Sequence, residues 1–220
     1  MPLLEPPAAA ASLATFPSCT PAGAWHRVWR YQLPDGTVRK SPWWFAAVTG
    51  DPYQAGRYDL PEPVGGTCYL ASTPVAALLE VLQDHLAALP LDELRVRRHA
   101  SVEMPEEPPA TADATAPDAT GFGITAGLWT TSDRQMTQGW AAAFRRDGWW
   151  ALHAGVHHDV TGAERVFALF DQPGEHPPTH PGGWVDSPPA TLHDDPDLLE
   201  ALDERGCRPS GPANLPHAAR

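Results

Sequence analysis

The sequence predicts one mixed α+β domain over about residues 23–172 of the 220-residue chain. Segments with the two-residue period of a strand are interspersed with segments that have the period of a helix. Residues 149–156 and 164–171 are apolar on both faces, as expected for inner strands of a sheet that helices cover. The apolar fraction of 42% is enough for a hydrophobic core.

Further strands are predicted at residues 25–31 and 94–102, where polar and apolar or aromatic residues alternate, and at the short segment 67–71. Alternation within the first of these strands places Arg27 between two tryptophans on one face. An arginine in such surroundings needs a partner, because an unpaired buried charge is costly.

Two helices are predicted within the domain. The first follows the strand at 67–71, with Ser72 or Thr73 as its cap. The second spans residues 133–148 and ends at Gly148. The first helix has an apolar stripe at helical spacing that consists of Val75, Leu78, Leu79, Leu82, Leu86 and Leu89.

Three segments have compositions that favour irregular structure. Residues 1–22 are rich in alanine and proline and predict a loose N-terminal arm. Residues 104–120 have a similar composition and predict an internal loop. Residues 173–220 form a predicted extension rich in proline and histidine, with a short helix at 195–206.

Charge and cysteine content narrow the class of protein. The net charge of −12, from 27 acids and 15 bases, disfavours direct nucleic-acid binding, which needs a basic face. Three cysteines do not suggest a disulfide framework. The first residues lack the pattern of a secretory signal, and no apolar run reaches the roughly 18–20 residues that span a bilayer. We therefore expect a cytoplasmic protein without membrane contact.

Two arginines are candidates for a binding site. Arg27 either stacks on its aromatic neighbours or pairs with a buried acid, or it holds a phosphate or carboxylate ligand. Arg57 lies in a glycine-rich segment, where small residues either make a turn or let a ligand approach the backbone closely. The residues alone leave both alternatives open.

Tyr69, Glu80 and Ser132 are the other candidates. A strand tyrosine is usually a core residue, but a ring at a strand end can stack on a planar heterocycle. Glu80 lies off the leucine stripe, so it is either exposed to solvent or faces a cleft, where a carboxylate could stabilise an oxocarbenium-like transition state. Ser132 opens the sequence SDRQ, which fits a capping box, and the same helix end offers an anion site.

The histidines do not form a recognised metal-binding pattern. His153, His157 and His158 cluster with Asp159, but their spacing matches no zinc motif. The sequence also lacks a G-x-S-x-G elbow, a Walker loop and a G-x-G-x-x-G fingerprint. We therefore expect no metal site and no permanently bound cofactor.

Three segments resemble the RES-domain family in their order and spacing. They read PAGAWHRVWR, then AGRYDLPEPVGGTCYLASTPVAALLEVL, then TTSDRQMTQGWAAAFRRDGWWALHAGV, and they cover roughly residues 21–172. The middle segment is the most specific, with a glycine–arginine–aromatic turn, a tyrosine before LA, and a glutamate eleven residues after that tyrosine. The family takes its name from an Arg, a Glu and a Ser.

The resemblance implies a fold similar to ADP-ribosyltransferases, with a mixed sheet split around an NAD cleft. It implies the toxin of a bacterial toxin–antitoxin pair, which degrades NAD⁺ with inorganic phosphate or water as acceptor. The implied partner is an antitoxin with a helix-turn-helix domain. ADP-ribosyl transfer to a protein, or NAD binding by a catalytically degenerate member, are the alternatives.

The resemblance also assigns roles to individual residues. It implies catalytic roles for Arg27, Glu80 and Ser132, and NAD⁺ contacts for Arg27, Arg57, Tyr69 and Ser132. Arg27 would hold the diphosphate, Tyr69 would flank the nicotinamide, and Glu80 would face the anomeric carbon.

One departure from the family pattern bears on activity. Many members have a proline–serine pair in the strand after the second helix, where this chain has Ala154 and Gly155. If the reaction needs a hydroxyl at that place, this chain lacks it.

Overall fold

The structure is a computed structural model that describes residues 2–8, 11–82, 89–104, 107–177, 185–186, 190–207 and 209–210. Its strands are β1 (Ser18–Cys19), β2 (Ala24–Arg30), β3 (Trp44–Phe45), β4 (Ala47–Val48), β5 (Leu60–Pro61), β6 (Gly66–Ala71), β7 (Leu89–Pro90), β8 (Arg97–Glu103), β9 (Thr111–Asp113), β10 (Ala151–Gly155), β11 (Arg165–Asp171), β12 (Gly174–Glu175), β13 (Val185–Asp186), β14 (Ala190–Thr191) and β15 (Pro209–Ser210). Its helices are α1 (Pro74–Leu82), α2 (Leu91–Arg95), α3 (Gly127–Thr130), α4 (Arg134–Arg146) and α5 (Pro196–Glu204). Within the described residues, no helix is both long enough and apolar enough to cross a membrane.

Among the described residues, nine strands form one mixed sheet in the order β1-β9-β10-β11-β6-β2-β8-β13, with β14 also paired to β8. β9 and β10 run parallel, whereas β6 pairs antiparallel with both β11 and β2. The sheet is split between β6 and β2. Strand β2 pairs with β8 along its whole length, whereas among the described residues it pairs with β6 only between His26 and Ala71. The predicted α+β class, with a mixed split sheet flanked by helices, is confirmed.

Two hydrophobic clusters pack against the sheet. The larger one contains Val28 of β2 together with apolar residues of α1 and α4. The smaller one contains Trp25 of β2 together with Trp43 and Phe45 from the segment between β2 and β6. Val28 and Trp25 belong to different clusters because successive side chains of a strand point to opposite faces.

Most of the predicted elements are present. The strands predicted at residues 25–31 and 67–71 are β2 and β6, and the two apolar segments contain β10 and β11. The helix predicted at residues 133–148 is α4, and the short C-terminal helix is α5. Thr73 caps α1, because its Oγ1 accepts a hydrogen bond from Ala76 N at 3.1 Å.

Two predicted boundaries are wrong. Leu89 belongs to β7, which pairs with β15, and not to the stripe of α1, while Leu86 lies outside the described residues. The strand predicted from Leu94 begins at Arg97, because the preceding residues form α2. Acidic residues in the first turn of α2 and an arginine in its last turn complement the helix dipole and favour this short helix.

The internal loop predicted at residues 104–120 contains a strand of the main sheet. β9 pairs in parallel with β10 and antiparallel with β1. A strand of three residues has too little periodicity to be seen in the sequence, and its partners come from distant parts of the chain.

The N-terminal segment contributes to the sheet and to the core. It supplies β1, and Leu13 and Phe16 are 2% and 4% exposed. The Phe16 ring packs edge-on against Phe122 and Phe144, with ring centroids 5.0 and 4.8 Å away. The division into residues 1–22, 23–172 and 173–220 stays a prediction.

Substitution of Phe16 by alanine should lower the free energy of unfolding by about 3–5 kcal/mol, because it leaves a cavity among aromatic rings. Urea denaturation measures this change. Leu4→Ala is the matched control, because Leu4 is 50% exposed and its loss should cost less than about 1 kcal/mol. Equal effects of the two substitutions would contradict the placement of Phe16 in the core.

Candidate active site

A cleft of about 310 Å³ is lined by residues of β2, α1, α4 and the turn before β5. Its lining includes Gly56, Glu80 and Arg134. These elements converge because α1 packs on β2 and β6, while α4 packs on β5 and on the 3₁₀ helix Pro52–Gln54. The lining thus combines a carboxylate with guanidinium groups.

Glu80 projects from α1 towards this cleft and is held by a backbone hydrogen bond. Its Oε1 accepts from His157 N at 3.0 Å. Burial raises the pKa of the Glu80 carboxyl, while the His157 hydrogen bond and the charges of Arg57 and Arg134 act to lower it. The structure therefore places Glu80 in a cleft, which is the second of the two alternatives that the sequence left open.

Arg57 is an interior arginine with spare hydrogen-bonding capacity. It is 2% exposed, and its Nη1 donates to the carbonyl of Thr131. Its Nε is buried and has no hydrogen-bond partner within the described part of the chain. Burial lowers the pKa of the Arg57 guanidinium, and the nearby Glu80 carboxylate acts in the opposite direction. Such a donor suits an anionic ligand, because a buried N–H without a partner is costly.

Arg134 is a site residue that the sequence analysis missed. It begins α4 and lines the cleft beside Glu80. A positive charge in the first turn of a helix is unfavourable, because it opposes the helix dipole. An arginine at this position therefore indicates a role other than helix stability. Its charge acts on Glu80, Arg57 and Tyr58, which places it in the same electrostatic cluster.

The turn that carries Arg57 is fixed by a buried acid. Asp59 Oδ2 accepts from Gly56 N at 2.6 Å, and Asp59 Oδ1 accepts from the Tyr69 hydroxyl at 2.8 Å. The Tyr69 hydroxyl in turn accepts from Tyr58 N at 2.9 Å. Gly56 is required here, because a Cβ atom would lie 2.6 Å from Tyr69 Oη.

Helix α4 holds the same turn from the other side. Gln138 Nε2 donates to the carbonyls of Pro52 and Gly56, at 3.0 Å each. Thr137, which is fully buried, donates its hydroxyl hydrogen bond to the Arg57 carbonyl. The position of Arg57 is therefore determined jointly by β6 and α4.

Tyr69 has its hydroxyl committed to this network. The pKa of Tyr69 is raised well above its usual value, by burial and then by the neighbouring charge of Asp59. Its ring is half-buried at the strand face that packs on the larger hydrophobic cluster. The structure shows Tyr69 positioning the Arg57 turn, and contact with the nicotinamide stays a prediction.

Arg27 spans the split in the sheet. Its Nη1 donates to the Tyr69 carbonyl at 3.0 Å and its Nε to the Pro42 carbonyl at 3.2 Å. It is 7% exposed and is not among the residues that line the cleft of Glu80. The residue of β2 that lines the cleft is Arg30, which lies three residues after Arg27 on the same strand. A ligand contact by Arg27 stays a prediction.

Ser132 is exposed and lies next to the carbonyl that holds Arg57. The predicted capping box is wrong, because Asp133 caps α4 by accepting from Met136 N at 3.0 Å. Aspartate ranks beside serine as a capping residue, and it stands one position closer to the helix. A functional role for Ser132 stays a prediction.

The departure at Ala154 and Gly155 has a structural counterpart. A Cβ atom at Gly155 would lie 2.5 Å from Trp129 Nε1. A serine at position 155 would therefore require the Trp129 indole to move. The carbonyl of Trp129 also accepts from His157 Nδ1, so this tryptophan supports the residue that holds Glu80.

The predicted histidine cluster divides between two places. His157 contacts Trp129 and Glu80 through its ring and its backbone, whereas His153 bonds to Asp113. Burial lowers the pKa of His157 and the charge of Arg57 lowers it further, while the hydrogen bond to the Trp129 carbonyl acts in the opposite direction.

A second group of charges completes the cleft. Arg30 Nη2 and Arg97 Nη2 bond to Glu93 Oε2 at 2.5 and 2.9 Å. This group carries one more positive than negative charge, and all three residues line the cleft. The cleft is therefore suited to an extended ligand with several negative charges and one developing positive charge.

Comparisons with known proteins identify the family. A family model described as the RES domain matches residues 27–192. A chain in the crystal structure of the M. tuberculosis MbcT–MbcA toxin–antitoxin complex is similar in fold, with a TM-score of 0.55 and 15% sequence identity. The match covers 85% of this chain and 92% of that chain. No curated protein gives a significant sequence match.

The structural match and the split sheet together confirm the predicted ADP-ribosyltransferase-like fold. The match to the family model covers well over half of the sequence, and it includes Arg27, Arg57, Tyr69, Glu80 and Ser132. The chain therefore belongs to the RES-domain family.

Proposed function

We propose that this protein cleaves the nicotinamide–ribose bond of NAD⁺, with inorganic phosphate or water as the acceptor. The observation that carries the proposal is the Glu80 carboxylate, which lines the cleft together with Arg134 and also lies within reach of the charge of the buried Arg57. NAD⁺ presents the complementary charges, because it has an anionic diphosphate and a cationic nicotinamide ring.

Each charged group has a role in this reaction. Arg57, with its unpaired buried Nε, and Arg134 bind the diphosphate and orient the nucleotide. Glu80 faces the ribose, where positive charge grows on the ring oxygen and the anomeric carbon as the glycosidic bond breaks. The electron pair of that bond leaves with nicotinamide, which departs as a neutral molecule.

The acceptor completes the reaction. Phosphate attack gives ADP-ribose 1″-phosphate and nicotinamide, and water attack gives ADP-ribose, nicotinamide and a proton. Nicotinamide is a good leaving group, so the protein mainly supplies positioning and complementary charge. No bound metal or permanent cofactor is needed for either route.

The structural neighbour supports a proposal about the biological setting. That chain belongs to a complex described as a toxin and its antitoxin. By analogy, this protein is a cytoplasmic toxin that depletes NAD⁺, and its partner is a helix-turn-helix antitoxin. This assignment rests on similarity of fold and is independent of the acceptor.

One observation favours a second candidate function. Trp129 fills the space beside Gly155, where many family members have a serine side chain. If that hydroxyl is essential, the chain binds NAD⁺ without turning it over. ADP-ribosyl transfer to a protein differs from the main proposal in the acceptor alone, and product analysis separates it.

Incubation of the purified protein with NAD⁺, with and without phosphate, tests the proposal. Chromatography of the products should show free nicotinamide, together with ADP-ribose 1″-phosphate or ADP-ribose. Nicotinamide that appears only with lysate protein, alongside a labelled protein band, would indicate transferase activity instead. Calorimetric binding of NAD⁺ without any nicotinamide would indicate the degenerate alternative.

Substitution of Glu80 by glutamine should reduce nicotinamide release by about 10²–10³-fold, because it removes the charge that stabilises the transition state. Glutamine keeps an oxygen for the His157 hydrogen bond, so the fold should persist. Glu200→Gln is the matched control, since Glu200 is an exposed helix glutamate in α5. Similar rates for wild type and Glu80→Gln would remove Glu80 from the mechanism.

Substitution of Arg134 by glutamine should raise KM for NAD⁺ by about tenfold, because one charge-assisted contact to the diphosphate is lost. Steady-state kinetics measures this change. Arg146→Gln, at the other end of the same helix and exposed, should leave KM unchanged. An unchanged KM in Arg134→Gln would place the diphosphate elsewhere.

The raised pKa of Glu80 predicts a pH-dependent cost in stability. Ionisation is harder in the folded state, so the free energy of unfolding falls as pH rises from the ordinary glutamate pKa through the raised one. Glu80→Gln should therefore have a higher Tm than wild type at about pH 8, and this gain should vanish at about pH 4. A gain of equal size at both pH values would show that the carboxylate is not the cause.

A further inference from the structure

Three potential metal ligands lie together on neighbouring strands at one edge of the main sheet. Cys19 is on β1, Asp113 on β9 and His153 on β10. One ligand atom from each of them lies within 4.8 Å of the others. These side chains are half-buried and lie outside the residues that line the cleft of Glu80.

The strand register explains why these residues share a face. Cys19 pairs with Thr111, and His153 pairs with Asp113. Thr111 and Asp113 are two positions apart on the same strand, so their side chains point to the same side of the sheet. The parallel pairing of β9 and β10 places His153 on that side as well, where its ring stacks on Phe167 at 4.7 Å between centroids.

The separations match the size of a metal ion. His153 Nδ1 lies 2.9 Å from Asp113 Oδ1. Two light-atom ligands on a tetrahedral zinc ion, each bonded at about 2.0 Å, lie roughly 3.3 Å apart. Small side-chain rotations are therefore enough to admit an ion between them.

Thr111 supplies a second, independent observation at the same place. It is 0% exposed, and its hydroxyl has no hydrogen-bond partner within the described residues. On the shared face, Thr111 lies directly opposite Cys19 and two positions before Asp113 on β9. A water molecule on a bound ion would give this orphan hydroxyl a partner.

We propose that Cys19, Asp113 and His153 bind a zinc ion, with a water molecule as the fourth ligand near Thr111. A thiolate, an imidazole and a carboxylate together favour Zn²⁺ over the oxygen-binding cations Mg²⁺ and Ca²⁺. The ion ties β1, which comes from the N-terminal segment, to the main sheet. The sequence predicted no metal ligands, because spacing cannot reveal three residues that only the sheet brings together.

Binding must displace a proton from the thiol. Only the thiolate form of a cysteine binds the metal, so the zinc ion takes the place of the Cys19 thiol proton, which leaves to solvent.

Cobalt substitution tests this site directly. Full-length protein is freed of metal with a chelator, kept reduced, and titrated with Co²⁺ while the sulfur-to-cobalt charge-transfer absorption is followed. Wild type should show this band at one equivalent, and Zn²⁺ should displace it. Cobalt bound by histidines or carboxylates alone gives no such band, so sites without a cysteine cannot imitate the result.

Substitutions test whether the sulfur-to-cobalt absorption band arises from Cys19, Asp113 and His153. Cys19→Ser should abolish it, and His153→Gln should weaken Co²⁺ affinity at least about tenfold. Cys207→Ser is the matched control, because Cys207 is another buried free cysteine and should keep the band. Circular dichroism checks that each variant folds. If Cys19→Ser does not fold, the Co²⁺ affinity of His153→Gln tests the site instead. Absence of the band in wild type, its persistence in Cys19→Ser, or an unchanged Co²⁺ affinity in His153→Gln would overturn the proposal.

Discussion

The Glu80 carboxylate can serve as an anion in the cleft only while positive charge lies beside it. Burial alone raises its pKa, and the charges of Arg57 and Arg134 oppose that effect. Arg57 is itself buried, so its guanidinium also depends on its neighbours. The site is therefore a balance of mutually supporting charges, which a bound diphosphate would alter.

This balance depends on the backbone of one turn. Asp59, the Tyr69 hydroxyl and α4 fix the segment that carries Arg57. Because β2 and β6 separate after a single paired position, the sheet leaves room for the cleft where this turn and α1 meet. Arg27 spans the same separation through the carbonyl of Tyr69. The split of the sheet and the position of the charges are thus parts of one arrangement.

The sequence predicted the elements whose residues carry a local signal. Alternation located β2, and the order of Arg57, Tyr69 and Glu80 led to the family. It did not predict β9, which has three residues and gains its partners from the fold. Arg134 and the proposed metal-binding cluster were missed for a related reason. Each becomes part of a site only through contacts with residues that are distant in sequence.

The most direct measurement is a crystal structure of the protein with an NAD⁺ analogue whose glycosidic bond cannot be cleaved. The account predicts the diphosphate between Arg57 and Arg134, with the anomeric carbon facing Glu80. A ligand bound elsewhere, or one whose diphosphate contacts neither arginine while Glu80 faces solvent, would contradict it.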